Sequence, residues 1–191
     1  GNIWLEKFVK FNDKKKTQFF EKEINIKKIE KRIKFEISKN QNFIEYSELG
    51  LNYLKKISKI IKKNTGSLLI IDYGYTDKLM KNTLQGVSKH KFANILDDIG
   101  NTDITHHLNF DFYKRFINKI GGLDSKLTSQ KEFLLKMGIK QRAEIISQNQ
   151  NFTKKAEIYY RLKRLIDEKE MGNLFKVMLI KNKKNKFNLG F

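Results

Sequence analysis

The chain has 191 residues, of which 40 are Lys or Arg and 21 are Asp or Glu, for a formal charge of +19. That length suits one compact domain, and the supply of Phe and Tyr is enough for its core. The absence of cysteine excludes disulfides and thiolate metal sites, and no run of about 18 uncharged apolar residues offers a transmembrane helix.

The chain opens Gly1-Asn2-Ile3-Trp4, with neither an initiator Met nor an apolar signal region, as expected of a domain cut from something longer. Ile3–Phe11 reads as a strand, Asn12-Asp13 as a turn and Thr17–Ile24 as a strand pairing back. Lys27–Lys39 is charged, either loop or short helix, and Asn42–Tyr46 reads as a third short strand. Ser47 caps a helix whose apolar face is Leu51, Leu54, Ile57, Ile60 and Ile61. Asn64-Thr65-Gly66 stops it.

Ser67–Tyr75 is the clearest element: a continuous apolar run, read as a strand buried on both faces as in a parallel sheet. It ends in Asp72 and Gly74, which suits the carboxyl edge where such sheets bind ligands. Residues 76–108 look irregular, a long loop of the kind that serves as a lid. Helices are expected over Phe110–Ile120, Ser129–Met137, Lys140–Gln148 and Thr153–Lys169. Leu123–Thr128 offers a short strand, Leu174–Ile180 a terminal one, and the lysine-rich tail after Lys181 is expected to fray.

The charge admits two readings: an anionic partner such as RNA, or Lys as the default surface residue of a composition biased toward AT-rich codons. Only five residues are Arg (Arg32, Arg115, Arg142, Arg161, Arg164), whereas dedicated phosphate and base readers lean on Arg forks. The expectation is therefore no specific nucleic-acid partner and no membrane insertion. Neither a Gly-x-Ser-x-Gly elbow nor a phosphate-binding loop with Lys is present. Asp103, His106 and His107 invite a metal reading, but adjacent histidines point apart and no second carboxylate–His set accompanies them.

Five stretches, in order, resemble the MidA family of S-adenosylmethionine-dependent methyltransferases. They are Leu68–Tyr75 with its Asp-Tyr-Gly; Thr83-Leu84-Gln85-Gly86 with His90; Gly100–Phe110; Ser129–Ile139; and Glu170–Val177. Two features depart from the family pattern: Ile99 precedes Gly100 where Pro-Gly is usual, and nothing matches the family's Gly-rich cofactor loop, which belongs to an N-terminal half.

The resemblance implies an α/β fold, the C-terminal part of a Rossmann-like class I methyltransferase with an incomplete sheet and flanking helices. Residues 1–46 would be a small β-rich segment before the core strand, and residues 47–191 the C-terminal part of the methyltransferase domain. It implies S-adenosylmethionine as cofactor, bound mainly by the missing N-terminal half, which would be a partner. It also implies a protein arginine as methyl acceptor, a link to respiratory complex I assembly and a bacterial cytoplasmic setting. A guanidinium is always protonated, so carboxylates would orient it and help it shed a proton. Asp72, Glu45 and Asp103 are the candidates for that work. Tyr73, Gly74, His90 and Thr105 are candidates for the substrate cleft. For each a blander reading stands beside the functional one: Asp72 as the anchor of its loop, Glu45 as a half-buried acid at a helix start, His90 as a loop-anchoring side chain. A non-enzymatic basic module binding RNA or another polypeptide is the alternative.

Overall fold

The computed structural model describes residues 3–12 and 16–191; Asp13 of the expected first turn lies outside them. Along the chain run β1 (Trp4–Phe11), β2 (Thr17–Ile24), α1 (Ile26–Ile33), α2 (Glu48–Asn64) and β3 (Ser67–Tyr75). Then follow β4 (Gln85–Ser88), β5 (Lys91–Ala93), β6 (Asp103–Thr105), β7 (Leu108–Asn109), α3 (Phe110–Ile120) and β8 (Leu123–Ser129). The chain closes with α4 (Gln130–Lys136), α5 (Ile139–Ser147), α6 (Phe152–Ile166), α7 (Met171–Leu174) and β9 (Phe175–Asn182). They form two compact units. The first joins the chain up to Tyr46 with Leu79–His107; the second joins Ser47–Lys78 with Leu108–Phe191.

In the first unit β1 and β2 pair antiparallel, Trp4 opposite Ile24 and Phe8 opposite Phe20, whose rings stack at 5.5 Å. Asn25 caps α1 by accepting from the Lys28 amide at 3.1 Å. The Glu30 carboxylate then gathers the next turn: it accepts from the amides of Ile37 and Ser38, each at 2.9 Å, from the Ser38 hydroxyl and from Lys27. Burial pushes this carboxyl up, but those donors outweigh it and hold the group at about 2. Residues 79–107 are no featureless lid. They hold an antiparallel sheet in the order β5-β4-β6, with strands of three or four residues, too short to show periodicity. Asn42–Tyr46, expected as a strand, is irregular; within it Glu45 is tied to Met80, Thr83 and Leu84.

The second unit is built on a four-stranded sheet in the order β7-β3-β9-β8. β9 runs antiparallel to β3 from Ser67↔Lys181 to Tyr73↔Phe175, and antiparallel to β8 on its other side. The continuous apolar run of β3 misleads about its surroundings. Leu68 and Ile70 are half-buried, but Leu69 and Ile71 are 44% and 48% exposed. The strand buried on both faces is β9, with Val177, Met178 and Ile180 at 0% exposure. The principal neighbour of β3 on the sheet is β9, which is antiparallel to it; among the described residues only β7 is parallel to β3, at Gly74 and Tyr75.

Ser47 caps α2 as its sequence suggests, accepting from the Gly50 amide at 3.0 Å. The helix buries Leu51, Leu54, Ser58 and Ile61 and leaves Ile60 outside. It ends within Asn64-Thr65-Gly66 as expected, capped by Thr65 in the left-handed region (φ 55°). The tail after Lys181 does not fray. Lys181, 5% exposed, donates its Nζ to the Phe187 carbonyl and to Asn188 Oδ1 at 3.0 and 2.8 Å. Asn185 Nδ2 reaches the Thr65 carbonyl, and the Phe191 ring meets Phe133 at 5.5 Å. Lysine-rich composition hides these anchors because the ordering groups are Asn side chains and one buried amine.

Candidate functional site

In the second unit, alternation puts Leu68, Ile70, Asp72 and Gly74 on one face of β3. Leu68 and Ile70 line a cavity of ≈ 260 Å³ with Tyr53, Leu54, Ile57, Phe110, Tyr113 and Met178. Asp72 follows Ile70 toward the carboxyl end of the strand. Its Oδ1 accepts only a local hydrogen bond, from the Tyr73 amide at 2.8 Å. Burial, and the Asp72 charge, push the Tyr113 phenol above its ordinary value. Across the sheet Asp72 stands in register with Lys176, which stands in register with Ser129. Lys176 donates to the Asn173 carbonyl, and burial holds its amine below the ordinary value. The Tyr113 phenol thus lines an apolar cavity, and an acid and an amine, Asp72 and Lys176, stand in register on the two strands that supply its Ile70 and Met178. Sequence reasoning found the acid but missed the other two: Tyr113 looks like a core position of an amphipathic helix, and Lys176 is one lysine among many.

Tyr73 faces the opposite side and packs edge-on against Phe175 at 5.3 Å. Gly74 is required by close approach: a Cβ there would lie 2.2 Å from the Leu108 carbonyl oxygen and 2.8 Å from the Phe110 ring. That contact seats β7, whose Asn109 caps α3 by accepting from the Phe112 amide at 3.0 Å and donates to the Asp77 carbonyl at 3.1 Å.

In the first unit Glu45 is the organising group. Its Oε2 accepts from the Thr83 and Leu84 amides, each at 3.1 Å, and its Oε1 accepts from the Thr83 hydroxyl. The Thr83 oxygen accepts in turn from the His107 amide at 2.8 Å. His106 Nδ1 stands 3.8 Å from Glu45 Oε1 and 3.4 Å from the His107 carbonyl oxygen. Alongside, Met80 N donates to Gln41 Oε1 at 2.8 Å. The other candidates of this unit are spread out. Asp103 is exposed on β6; Thr105 ends that strand and accepts from Gln85 Nε2 at 3.3 Å. His90 sits with Lys89 at the exposed tip of the β4–β5 hairpin, both at positive φ. No group of three or more His, Asp or Glu among the described residues could hold a metal ion, and no described helix is long and apolar enough to cross a membrane.

A cofactor cradle requires glycines whose backbone lies open to a ligand. Here the space beside Gly74, Gly86 and Gly172 is filled by carbonyl oxygens of the chain itself, at 2.2, 2.7 and 2.6 Å from where a Cβ would stand, whereas Gly66, Gly100 and Gly121 have open space beside them.

Residues 1–128 match the family model Methyltransf_28, that of S-adenosyl-L-methionine-dependent methyltransferases. The mitochondrial protein arginine methyltransferase NDUFAF7 of Xenopus laevis is 27% identical over 64% of this chain, and that of Danio rerio 25% over 68%. The chain spans only 28% and 30% of those relatives' lengths. A COG1565 superfamily protein of Burkholderia thailandensis superposes with a TM-score of 0.76 at 24% identity, over 98% of this chain and 51% of its own. Another from that organism, with S-adenosyl-homocysteine bound, gives 0.78 at 23% identity, over 99% of this chain and 50% of its own. These likenesses bear out the α/β, Rossmann-like class expected from the sequence. The chain belongs to the MidA-like family of S-adenosylmethionine-dependent methyltransferases.

Proposed function

We propose that these residues form the C-terminal part of a methyltransferase that modifies a protein arginine, in the bacterial cytoplasm and in connection with respiratory complex I assembly. The observation that carries this reading is Asp72. It is a carboxylate toward the carboxyl end of β3, on the strand face whose Leu68 and Ile70 line an apolar cavity, with little structural work of its own. A sulfonium donor brings an activated methyl group. The protein then has to hold a guanidinium in line and exclude water, and a free carboxylate suits the cationic head. Tyr73, the next residue of β3, is a further candidate contact for the acceptor.

The cofactor would be held mainly by the half of the fold that this chain does not span. Support comes from β3 itself. Among the described residues, β3 meets β9 along one edge from Ser67 to Tyr73 but β7 on the other only at Gly74 and Tyr75. With Leu69 and Ile71 exposed, that edge and face are prepared for further chain.

The test is methyl transfer from labelled S-adenosylmethionine to arginine-containing protein by the full enzyme, followed by hydrolysis. Label in methylarginine is the expected result, and label elsewhere or none would sink the reading. Calorimetry on these 191 residues alone should show weak binding of S-adenosylmethionine or none; micromolar binding would locate the cofactor contacts here.

A further inference from the structure

We propose that β1 pairs edge to edge with β1 of a second copy of this chain, antiparallel across a two-fold axis at Phe8. The inference goes beyond the methyltransferase reading and does not rest on it, and every group it uses lies in the first unit.

The β1–β2 pair is unfinished as a sheet. Among the described residues each strand has only the other as a ladder partner, so the outer edge of β1 presents a row of unpaired amides and carbonyls. Neither a proline nor a bulge blunts that edge. Two strands by themselves are marginal in water, and this pair carries apolar side chains on both faces. Trp4, Phe8, Phe20 and Ile24 share one face and are half-buried. Leu5, Val9, Phe11 and Phe19 share the other and are 54%, 53%, 72% and 41% exposed.

Charge selects the occupant. The chain carries +19 overall, so two copies repel over much of their surface. β1 and β2 themselves are neutral: Glu6, Glu21 and Glu23 balance Lys7, Lys10 and Lys22. Within the pair Lys7 stands opposite Glu21 and Glu6 opposite Lys22, but Lys10 stands opposite Gln18. The Lys10 amine lies 5.3 Å from the centre of the Phe20 ring, which holds its charge on the Phe8 face with no acid across from it. A second β1 supplies the acid. With the axis at Phe8, that residue faces its own copy, and Glu6 and Lys10 of one chain face Lys10 and Glu6 of the other. On the opposite face Leu5 meets Phe11 and Lys7 meets Val9. Neighbouring registers lose this match. An axis at Lys7 sets Lys7 against itself, and one at Val9 leaves Glu6 facing Asn12 and Lys10 facing Phe8. Along β2, an axis at Glu21 or Lys22 opposes like charges, and one at Phe19 or Phe20 sets Glu21 against Thr17 or Phe19.

Sedimentation of the full enzyme between about 1 and 100 μM should show a dimer. A monomer throughout overturns the proposal, even where the 191-residue chain alone dimerises, since the N-terminal half is then what covers β1. Lys10→Glu should raise the dissociation constant at least about tenfold, because both ion pairs become like-charge contacts, and Glu6→Lys should do the same. An equimolar mixture of these two variants should dimerise again, because every acid then meets a lysine. An unchanged constant in Lys10→Glu, or a mixture of folded variants that stays monomeric, overturns the proposal. Where a charge variant does not fold, disulfide trapping decides in its place. The chain has no cysteine, so Phe8→Cys gives one thiol per copy. Across the axis the two Cα atoms of that position lie about 4.5–5.5 Å apart, within disulfide range, whereas those of Val9→Cys are out of register and beyond about 7 Å. Oxidation should crosslink Phe8→Cys and leave Val9→Cys uncrosslinked. No crosslink in the first, or equal crosslinking in both, overturns the proposal.

Discussion

The two compact units are held together by different chemistry. Among the described residues, the buried hydrophobic side chains of the first unit are Ile33, Ile37 and Met80, whereas the second buries Leu51, Leu54, Ile61, four residues at the start and centre of α3, and the whole run Val177–Ile180. The first unit relies instead on two carboxylates, Glu30 and Glu45, each collecting several backbone donors from a neighbouring segment. In the second unit Asp72, the carboxylate proposed for the acceptor, collects among the described residues only the amide of the next residue. A carboxylate crowded with protein donors is committed to the fold; one left with its lone pairs open in a half-buried place is free for a ligand.

The sharpest way to break this contrast is to cut the second unit's core. Leu179→Ala should cost about 2–5 kcal/mol, because Leu179 is enclosed in β9 with little room to collapse. Denaturant unfolding measures it, and a loss below about 1 kcal/mol would remove β9 as the anchor. Acid probes the first unit. Glu30 titrates at about 2 in the folded chain against an ordinary 4.5, so its contribution is fully present above about 4.5 and is lost as pH falls toward 2. That contribution is up to about 3 kcal/mol, reduced by solvent access. The Ile37 and Ser38 amide resonances should shift across this window in the wild type and lose that dependence in Glu30→Gln. Asp72→Asn should lower methyl transfer in the full enzyme at least about 100-fold and hardly move Tm. Normal turnover, or a stability loss that accounts for the deficit, would return Asp72 to the status of a loop anchor. The smallest effect belongs to the exposed face of β3: Leu69→Thr should change the stability of these residues by no more than about 0.5 kcal/mol, and a larger change would mean that this face is covered within the unit.

Much of the architecture is legible in the sequence because it is written in local chemistry. Ser47 and Asn109 signal helix starts, Gly121 and Gly138 signal ends, and the apolar runs at 67–75 and 174–180 signal strands. Which of those runs is buried is not local: Leu69 and Met178 look alike until the layers on each side are known. The β4–β5–β6 sheet escaped notice because strands of three or four residues carry no measurable period. Asp72 was readable as a strand-end acid, and Glu45 as an acid before a helix. The partners that give Glu45 its character, Thr83 and His106, lie 38 and 61 positions further along, and nothing in spacing or composition brings them together. His106 reads as half of an adjacent pair suited to no metal, and spacing gives no sign that its Nδ1 comes within 3.8 Å of Glu45 Oε1.

The antiparallel join of β3 and β9 also governs how the chain can be made. Ser67 pairs with Lys181 and Tyr73 with Phe175, so during synthesis β3 leaves the ribosome about a hundred residues before its principal partner. Throughout that interval an apolar strand has no ladder on either edge apart from the two-residue contact with β7. Nascent chains that stop short of β9 would carry this sticky strand permanently, which makes termination just before Phe175 more hazardous for solubility than the loss of one strand suggests. Completion of the last strand, and the docking of the Lys181–Phe191 tail behind it, is the step that retires the hazard.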